Sequence, residues 1–210
     1  MKRTKGLDID PALAWRRNNS LKRIPLLKTG IIITNPPYLT NYSAQRKGLY
    51  ADVERYFAAS RHDDLYKIAL ERCLDAAEHV VAIIPETFIN SSFPKARLAS
   101  LTILEDNPFE DTDAPVCVAC FDGAKKRLSA VRVYKNSAYV GRLSRLENKR
   151  LSPTRILPMK FNAPRGQIAL RAVDQVRLDD SIRFMRPEDL GYDLSRIGQS
   201  SRLITRIEIG

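Results

Sequence analysis

Three isoleucines and a threonine, Ile31–Thr34, run directly into Asn35 and two consecutive prolines. A continuous β-branched run of this length, without polar alternation, is the pattern of a strand covered on both faces in a parallel sheet. Pro36 and Pro37 have no amide hydrogen and a fixed φ, so the ladder must stop there. The pattern returns at His79–Pro85, again closed by proline, and at Val116–Phe121, closed by Asp122 and Gly123. Ser100–Leu104 is a fourth candidate strand, reached through a short helix expected over Pro94–Ala99. Between the first two strands, His62–Glu78 places Leu65, Ile68, Ala69, Cys73 and Ala76 on one helical stripe, with Asp63 or Asp64 as the cap. Strands alternating with helical segments predict βαβ units and an open α/β sheet.

Several function classes drop out early. No apolar run approaches the ~18 residues that a membrane span needs, and the basic Met1–Lys5 start has no apolar stretch behind it. A cytoplasmic protein without membrane contact is expected. Cys117 and Cys120 spell a CxxC, but residues three apart on a strand face opposite ways, and there is no second pair. A packed, inert pair is the expectation. The two histidines, His62 and His79, have no metal-ligand spacing, so no metal is expected. Chain order suggests no Ser–His–Asp or Cys–His constellation.

Charge is segregated along the chain. Residues 1–123 carry 16 Lys+Arg and 16 Asp+Glu, whereas residues 124–210 carry 19 and 8, the whole of the +11 excess. A basic third beside a neutral remainder suits a polyanion-binding lobe, because each neutralised phosphate releases counterions. The texture also changes after Gly123: apolar runs shorten, arginine becomes frequent, and Pro153, Pro158, Pro164 and Pro187 interrupt. A boundary is expected near residues 123–128. It divides a catalytic domain, 1–123, from a basic recognition region, 124–210, with strands over Ser129–Lys135, Tyr139–Leu143 and Gln167–Val173 in a small mixed lobe.

The chemistry is expected at Asn35-Pro36-Pro37-Tyr38. Ligands of open α/β sheets bind outside the carboxyl ends of the strands, where this segment falls. The Asn35 carboxamide oxygen and a backbone carbonyl held rigid by the prolines can accept both hydrogens of an exocyclic amino group. That draws the nitrogen toward tetrahedral geometry and frees its lone pair to attack a methyl sulfonium. Tyr38 adds a flat face on which a flipped base can stack.

Ile31–Tyr38 resembles the catalytic motif of the amino-methyltransferases, most closely the N6-adenine DNA methyltransferases of bacterial restriction–modification systems. The likeness extends over roughly residues 6–123, through Ile83–Phe88 and Asn107–Ala119. It implies a Rossmann-like methyltransferase sheet, S-adenosyl-L-methionine (AdoMet) as cofactor, and double-stranded DNA with a flipped adenine as partner. It further implies that Asp8, with Asp10 second, accepts from the AdoMet ribose hydroxyls. Asn19 stands where the family has an aspartate for the cofactor's adenine, Asn35 also contacts the cofactor, and Phe109 is a second aromatic against the base. The recognition domain would then follow the catalytic one, with Lys125, Lys126, Arg127, Arg142, Arg145, Lys149 and Arg150 as phosphate contacts. Tyr42 and Tyr50 are candidates for the target channel.

One departure accompanies the resemblance. The family's glycine-rich AdoMet loop stands roughly twenty or more residues before the ribose carboxylate, and seven residues precede Asp8. The sheet is therefore expected to be incomplete at its N-terminus, whether through the start chosen, a fragment, or a second polypeptide that supplies the segment. Two other readings stay open. One is methyl transfer to an RNA guanine amino group or a release-factor glutamine; the other is a non-catalytic DNA-binding fragment.

Overall fold

The computed structural model describes residues 4–109, 114–148, 154–172, 182–190 and 204–210. The chain divides into two compact units, Met1–Arg150 and Leu151–Gly210. In chain order the first holds β1 (Leu7–Asp8), β2 (Arg16–Arg17), β3 (Ile31–Thr34), α1 (Asn41–Arg46), α2 (Tyr50–Ala58), α3 (Leu65–Ala76), β4 (His79–Pro85), β5 (Leu98–Ile103), β6 (Val116–Phe121), β7 (Arg132–Lys135), β8 (Ala138–Arg142) and α4 (Leu143–Glu147). The second holds β9 (Met159–Phe161), β10 (Ile168–Arg171), β11 (Arg183–Met185) and β12 (Ile204–Ile209).

A six-stranded mixed sheet, in the order β3-β4-β6-β5-β7-β8, organises the first unit. β3 runs parallel to β4 and β5 parallel to β7, while β6 lies antiparallel between β4 and β5. Val80, Ala82 and Ile84 of β4 are completely buried, as expected of an all-apolar central strand. Leu98, Leu101, Cys117 and Ala119 from the neighbouring strands join Tyr66 and Leu70 of α3 in the main core. Each large side chain removed from water there contributes about 1.5–3 kcal/mol. A second cluster, Ala44, Phe57, Leu65 and Ile68, seats α1 and α2 on the other flank of α3.

α3 begins at Asp64, whose carboxylate accepts from the Tyr66 amide at 3.4 Å. Its last turn carries no cation of its own. Arg97, just before β5, fills that role: its guanidinium donates to the carbonyls of Leu74, Ala77 and Glu78, and also to that of Asp122. One side chain thus ties the end of a helix to the end of β6.

Three sequence expectations need correction. β3 is not covered on both faces. Ile32 packs on the core while Ile31 and Ile33, pointing to the opposite face, are 60% and 80% exposed, and the strand sits at the sheet edge with one described neighbour. The segment 94–99 is not helical, because Leu98 is drawn into β5 opposite Phe121. The strands expected over 129–135 and 139–143 do not form a separate lobe. β7 and β8 extend the main sheet, and Val131, Val133 and Leu143 are buried in its core, so residues 123–128 fall inside the first unit.

The second unit is a four-stranded antiparallel sheet ordered β11-β10-β12-β9. Ala163, Ala169 and Ile207 are its buried apolar residues among those described. Gly166 lies so close to the Ile207 backbone that an added Cβ would meet it at 2.6 Å.

Candidate functional site

The carboxyl ends of β3 and β4 lie at the same end of the sheet, since the strands are parallel and Thr34 is in register with Ala82. Beyond Thr34 the prolines cannot donate, and the ladder stops. The next β4 carbonyl that points this way, Ile83 O, is met instead by the Tyr38 hydroxyl at 2.9 Å. Pro36 is buried, Pro37 and Asn35 are exposed, and Tyr38 is half-buried against the main core. The bend is pinned from beneath while its carboxamide faces outward.

The same Tyr38 hydroxyl lies 2.7 Å from Asn35 Oδ1. One hydroxyl proton cannot serve both oxygens fully. As placed, the hydroxyl faces Asn35 Oδ1 and Ile83 O; a half-turn of the carboxamide would let Nδ2 donate to the hydroxyl and the hydroxyl donate to Ile83 O, leaving Oδ1 a free acceptor. Burial, reinforced by nearby Cys117, pushes the Tyr38 hydroxyl up to about 12, so it keeps its proton at any working pH.

Tyr38 is flanked by two rings. Tyr66, fully buried, meets it at 6.4 Å between centroids and 89° between planes. Phe109 meets it at 6.3 Å and 80°. The structure therefore brings the two expected base-stacking residues together, but edge to face rather than as parallel walls. Phe109 is presented by a turn in which its amide donates to Asn107 Oδ1 at 3.0 Å.

One positioning residue was not singled out from the sequence except as a helix cap. Asp64 is buried, and its Oδ1 also accepts from the Leu39 amide at 3.3 Å. Leu65 N donates to Leu39 O at 3.1 Å, and Thr40 and Asp64 form an isolated bridge. The start of α3 thereby clamps the residue that follows Tyr38. Burial raises the Asp64 carboxyl above its ordinary range despite its two amide donors. The signal was present in the sequence as a cap, but its second partner lies 25 residues away.

The expected cofactor residues are placed differently. Asp8 belongs to the separate two-stranded β1-β2 sheet, where its Oδ1 accepts from Asp10 N at 2.9 Å. Asp10 Oδ1 accepts from Ala12 N at 2.8 Å. Each carboxylate keeps a second oxygen for an outside donor. Asn19 is committed at both ends: Oδ1 accepts from Leu21 N at 3.0 Å, and Nδ2 donates to Tyr56 at 2.9 Å. No described hydrogen bond or ring contact joins these residues to the Asn35 turn.

Among the expected phosphate contacts, Lys125, Lys126, Arg127 and Arg142 line one pocket with Arg132. Register puts that pocket toward the opposite end of the sheet from Asn35, because Asp122 follows Phe121, which is level with Val80. Arg145 is exposed in the last turn of α4, outside that lining. Lys149 and Arg150 lie outside the described residues. Tyr42 is 72% exposed, and Tyr50 lines a different pocket with Asn41, Phe57 and His62. Cys117 is buried and its thiol is pushed up to about 12, mainly by burial; Cys120 is half-buried. The described residues hold no group of three potential metal ligands, and none of their helices is long and apolar enough to cross a membrane.

Residues 28–112 match the Eco57I restriction-modification methylase family. The match covers about two fifths of the chain and takes in β3, the Asn35–Tyr38 turn, the Asp64 clamp, α3, β4, β5 and Phe109. No curated protein matches the chain. The methylase-like segment thus contains the geometry described above at the carboxyl ends of β3 and β4. It leaves out Asp8, Asp10, Asn19 and the basic pocket.

Proposed function

We propose that this chain carries the target-amine site of an AdoMet-dependent DNA methyltransferase of a restriction–modification system, acting on the N6 amino group of adenine. The observation that carries the reading is the exposed Asn35 carboxamide, fixed beside a diproline turn by a hydroxyl that is itself fixed to β4.

The residues present account for the chemistry at the amine. With Nδ2 on the Tyr38 hydroxyl, Asn35 Oδ1 accepts one hydrogen of the amino group, and a carbonyl of the proline bend accepts the other. Two acceptors on one NH2 localise the nitrogen lone pair, so no base has to remove a proton before attack. The prolines give the acceptors a geometry that costs little reorganisation. Tyr38 and Phe109 offer ring faces or edges to the base once it leaves the duplex.

AdoMet, when bound, supplies the methyl group as an electrophilic sulfonium. The described residues fit such a group in part. The unengaged oxygens of Asp8 and Asp10 suit a vicinal diol, whereas Asn19 has both amide ends engaged and suits a structural role better. Contact of the basic pocket with DNA belongs to the same proposal.

The test is transfer of labelled methyl groups to plasmid DNA, with ribosomal RNA and release factor as alternative acceptors. Label in N6-methyladenine is expected, and Asn35→Ala should lower the rate on the order of 10²–10³-fold, as loss of one preorganised polar contact does elsewhere. Retained transfer by Asn35→Ala sinks the assignment. Salt-dependent DNA binding without transfer leaves only a DNA-binding role.

A further inference from the structure

A pocket of about 560 Å³ is lined by Lys125, Lys126, Arg127, Arg132 and Arg142, with Asp122 as its only carboxylate. Lys126 is neutralised by Asp122, Nζ to Oδ2 2.9 Å. Among the described residues, Lys125, Arg127, Arg132 and Arg142 have no acidic partner. Arg132 and Arg142 sit directly opposite each other on β7 and β8. Like charges in that relation destabilise a sheet. Arg142 is nonetheless anchored, its Nη1 donating to Ala130 O at 2.9 Å, while Val131 and Val133 hold the strand in the core. The fold thus fixes an uncompensated pair of guanidinium groups at the mouth of a concave, cationic site, where an anion would relieve them.

Its position sets it apart from the amine site. β7 is four strands from β3 in the sheet order. Four inter-strand spacings make that roughly 19 Å sideways, or about six steps along one strand of a duplex at ~3.4 Å per step. We propose that this pocket is a remote clamp for backbone phosphates of DNA, engaging the duplex several base pairs from the target base and contributing affinity rather than chemistry. The clamp rests on the reading of DNA as substrate, and it adds Arg132 to the contacts.

The test measures binding of the full chain to a labelled ~30-base-pair duplex across about 50–200 mM salt, without cofactor, so that its outcome is independent of methyl transfer. Arg132→Gln with Arg142→Gln should reduce the slope of log affinity against log salt by about 2, near 0.9 per lost phosphate contact. Affinity at low salt should fall at least about tenfold, with an unfolding midpoint no lower than that of the parent. The loop pair Lys125→Gln with Arg127→Gln should do the same without touching a strand. Unchanged slopes in both variants overturn the clamp even if the protein methylates DNA. Tripolyphosphate binding that the variants lose, with duplex binding intact, also overturns it and marks a small-anion site. Reduced slopes in a protein that transfers no methyl group leave the clamp standing and remove the catalytic reading.

Discussion

Replacing Tyr38 by phenylalanine removes one oxygen and leaves both ring contacts, to Tyr66 and Phe109, in place. The lost hydroxyl holds Ile83 O and the Asn35 carboxamide. Because it has one proton and the site is only half-buried, the stability cost is that of a single ordinary hydrogen bond, about 1 kcal/mol. A fall of roughly 2–4 °C in the unfolding midpoint follows for a chain of this size. The catalytic cost has a different origin. Freed from the hydroxyl, the Asn35 amide rotates among orientations of which only one aims Oδ1 at the target nitrogen, so kcat should drop about tenfold, equivalent to about 1.4 kcal/mol. The base itself loses no contact, and KM should hardly change. Single-turnover methyl transfer with thermal melts on the same preparations separates the two effects. Since the hydroxyl stays protonated up to about 12, parent and variant should share one pH profile below about 10. A Tyr38→Phe protein with the parental kcat refutes the positioning role, as does a parental rate loss near neutral pH that the variant lacks.

Asp64 gives a pH signature. Its carboxyl is raised by burial, so the native state holds the proton more tightly than the unfolded chain; the contribution is full below the unfolded value near 3.9 and is lost as pH rises through the raised one. Asp64→Asn keeps an acceptor oxygen and should flatten that decline in melts between acid and neutral pH, whereas Asp64→Ala loses the cap and costs about 1 kcal/mol. A variant with Asn that shows the full parental decline would assign it to another group. Arg97→Ala strips four carbonyl contacts and should cost about 3–5 kcal/mol in denaturant unfolding. Lysine, lacking the guanidinium fork, should recover less than half of that; full recovery would reduce the contact set to simple charge. Ile33→Lys, on a side chain 80% exposed at an open strand edge, should move the unfolding free energy by no more than about 0.5 kcal/mol while reducing self-association in light scattering.

β3, β4, β6 and α3 were legible because each is a short apolar run or stripe bounded by proline, glycine or a capping aspartate, signals that act within a few residues. What was not legible depends on partners distant in sequence. Ile31–Thr34 looks doubly covered, yet whether anything packs over a strand's second face is set by elements distant in sequence, which β-branched residues do not encode; Ile31 and Ile33 stay exposed. The Asn35–Tyr38 turn was readable down to its carboxamide and ring. The hydroxyl's competing claim on the Asn35 oxygen and on Ile83 O, 45 residues away, was not. Asn19 is a related case: both ends of an amide given a cofactor role by resemblance also make contacts within the fold, to Leu21 and Tyr56.

Charge segregation was visible as a bare count, and the count suggested a separate basic lobe. The structure shows why that inference overreached. Val131, Val133 and Leu143 are few, but each is fully or almost fully buried, and three such side chains suffice to commit β7 and β8 to the main sheet while every intervening exposed position stays free to be cationic. Basic composition and core membership are therefore compatible on one hairpin, because a strand separates its two faces residue by residue. A window average sees only the arginines. The alternation that places Val133 inward beside an exposed Arg132 is what sets Arg132 and Arg142 opposite each other at a fixed register. Cations on a flexible tail would bind a polyanion with no preferred register, whereas the proposed clamp, on a hairpin anchored in the core by Val133, requires a partner whose phosphates are held in regular array.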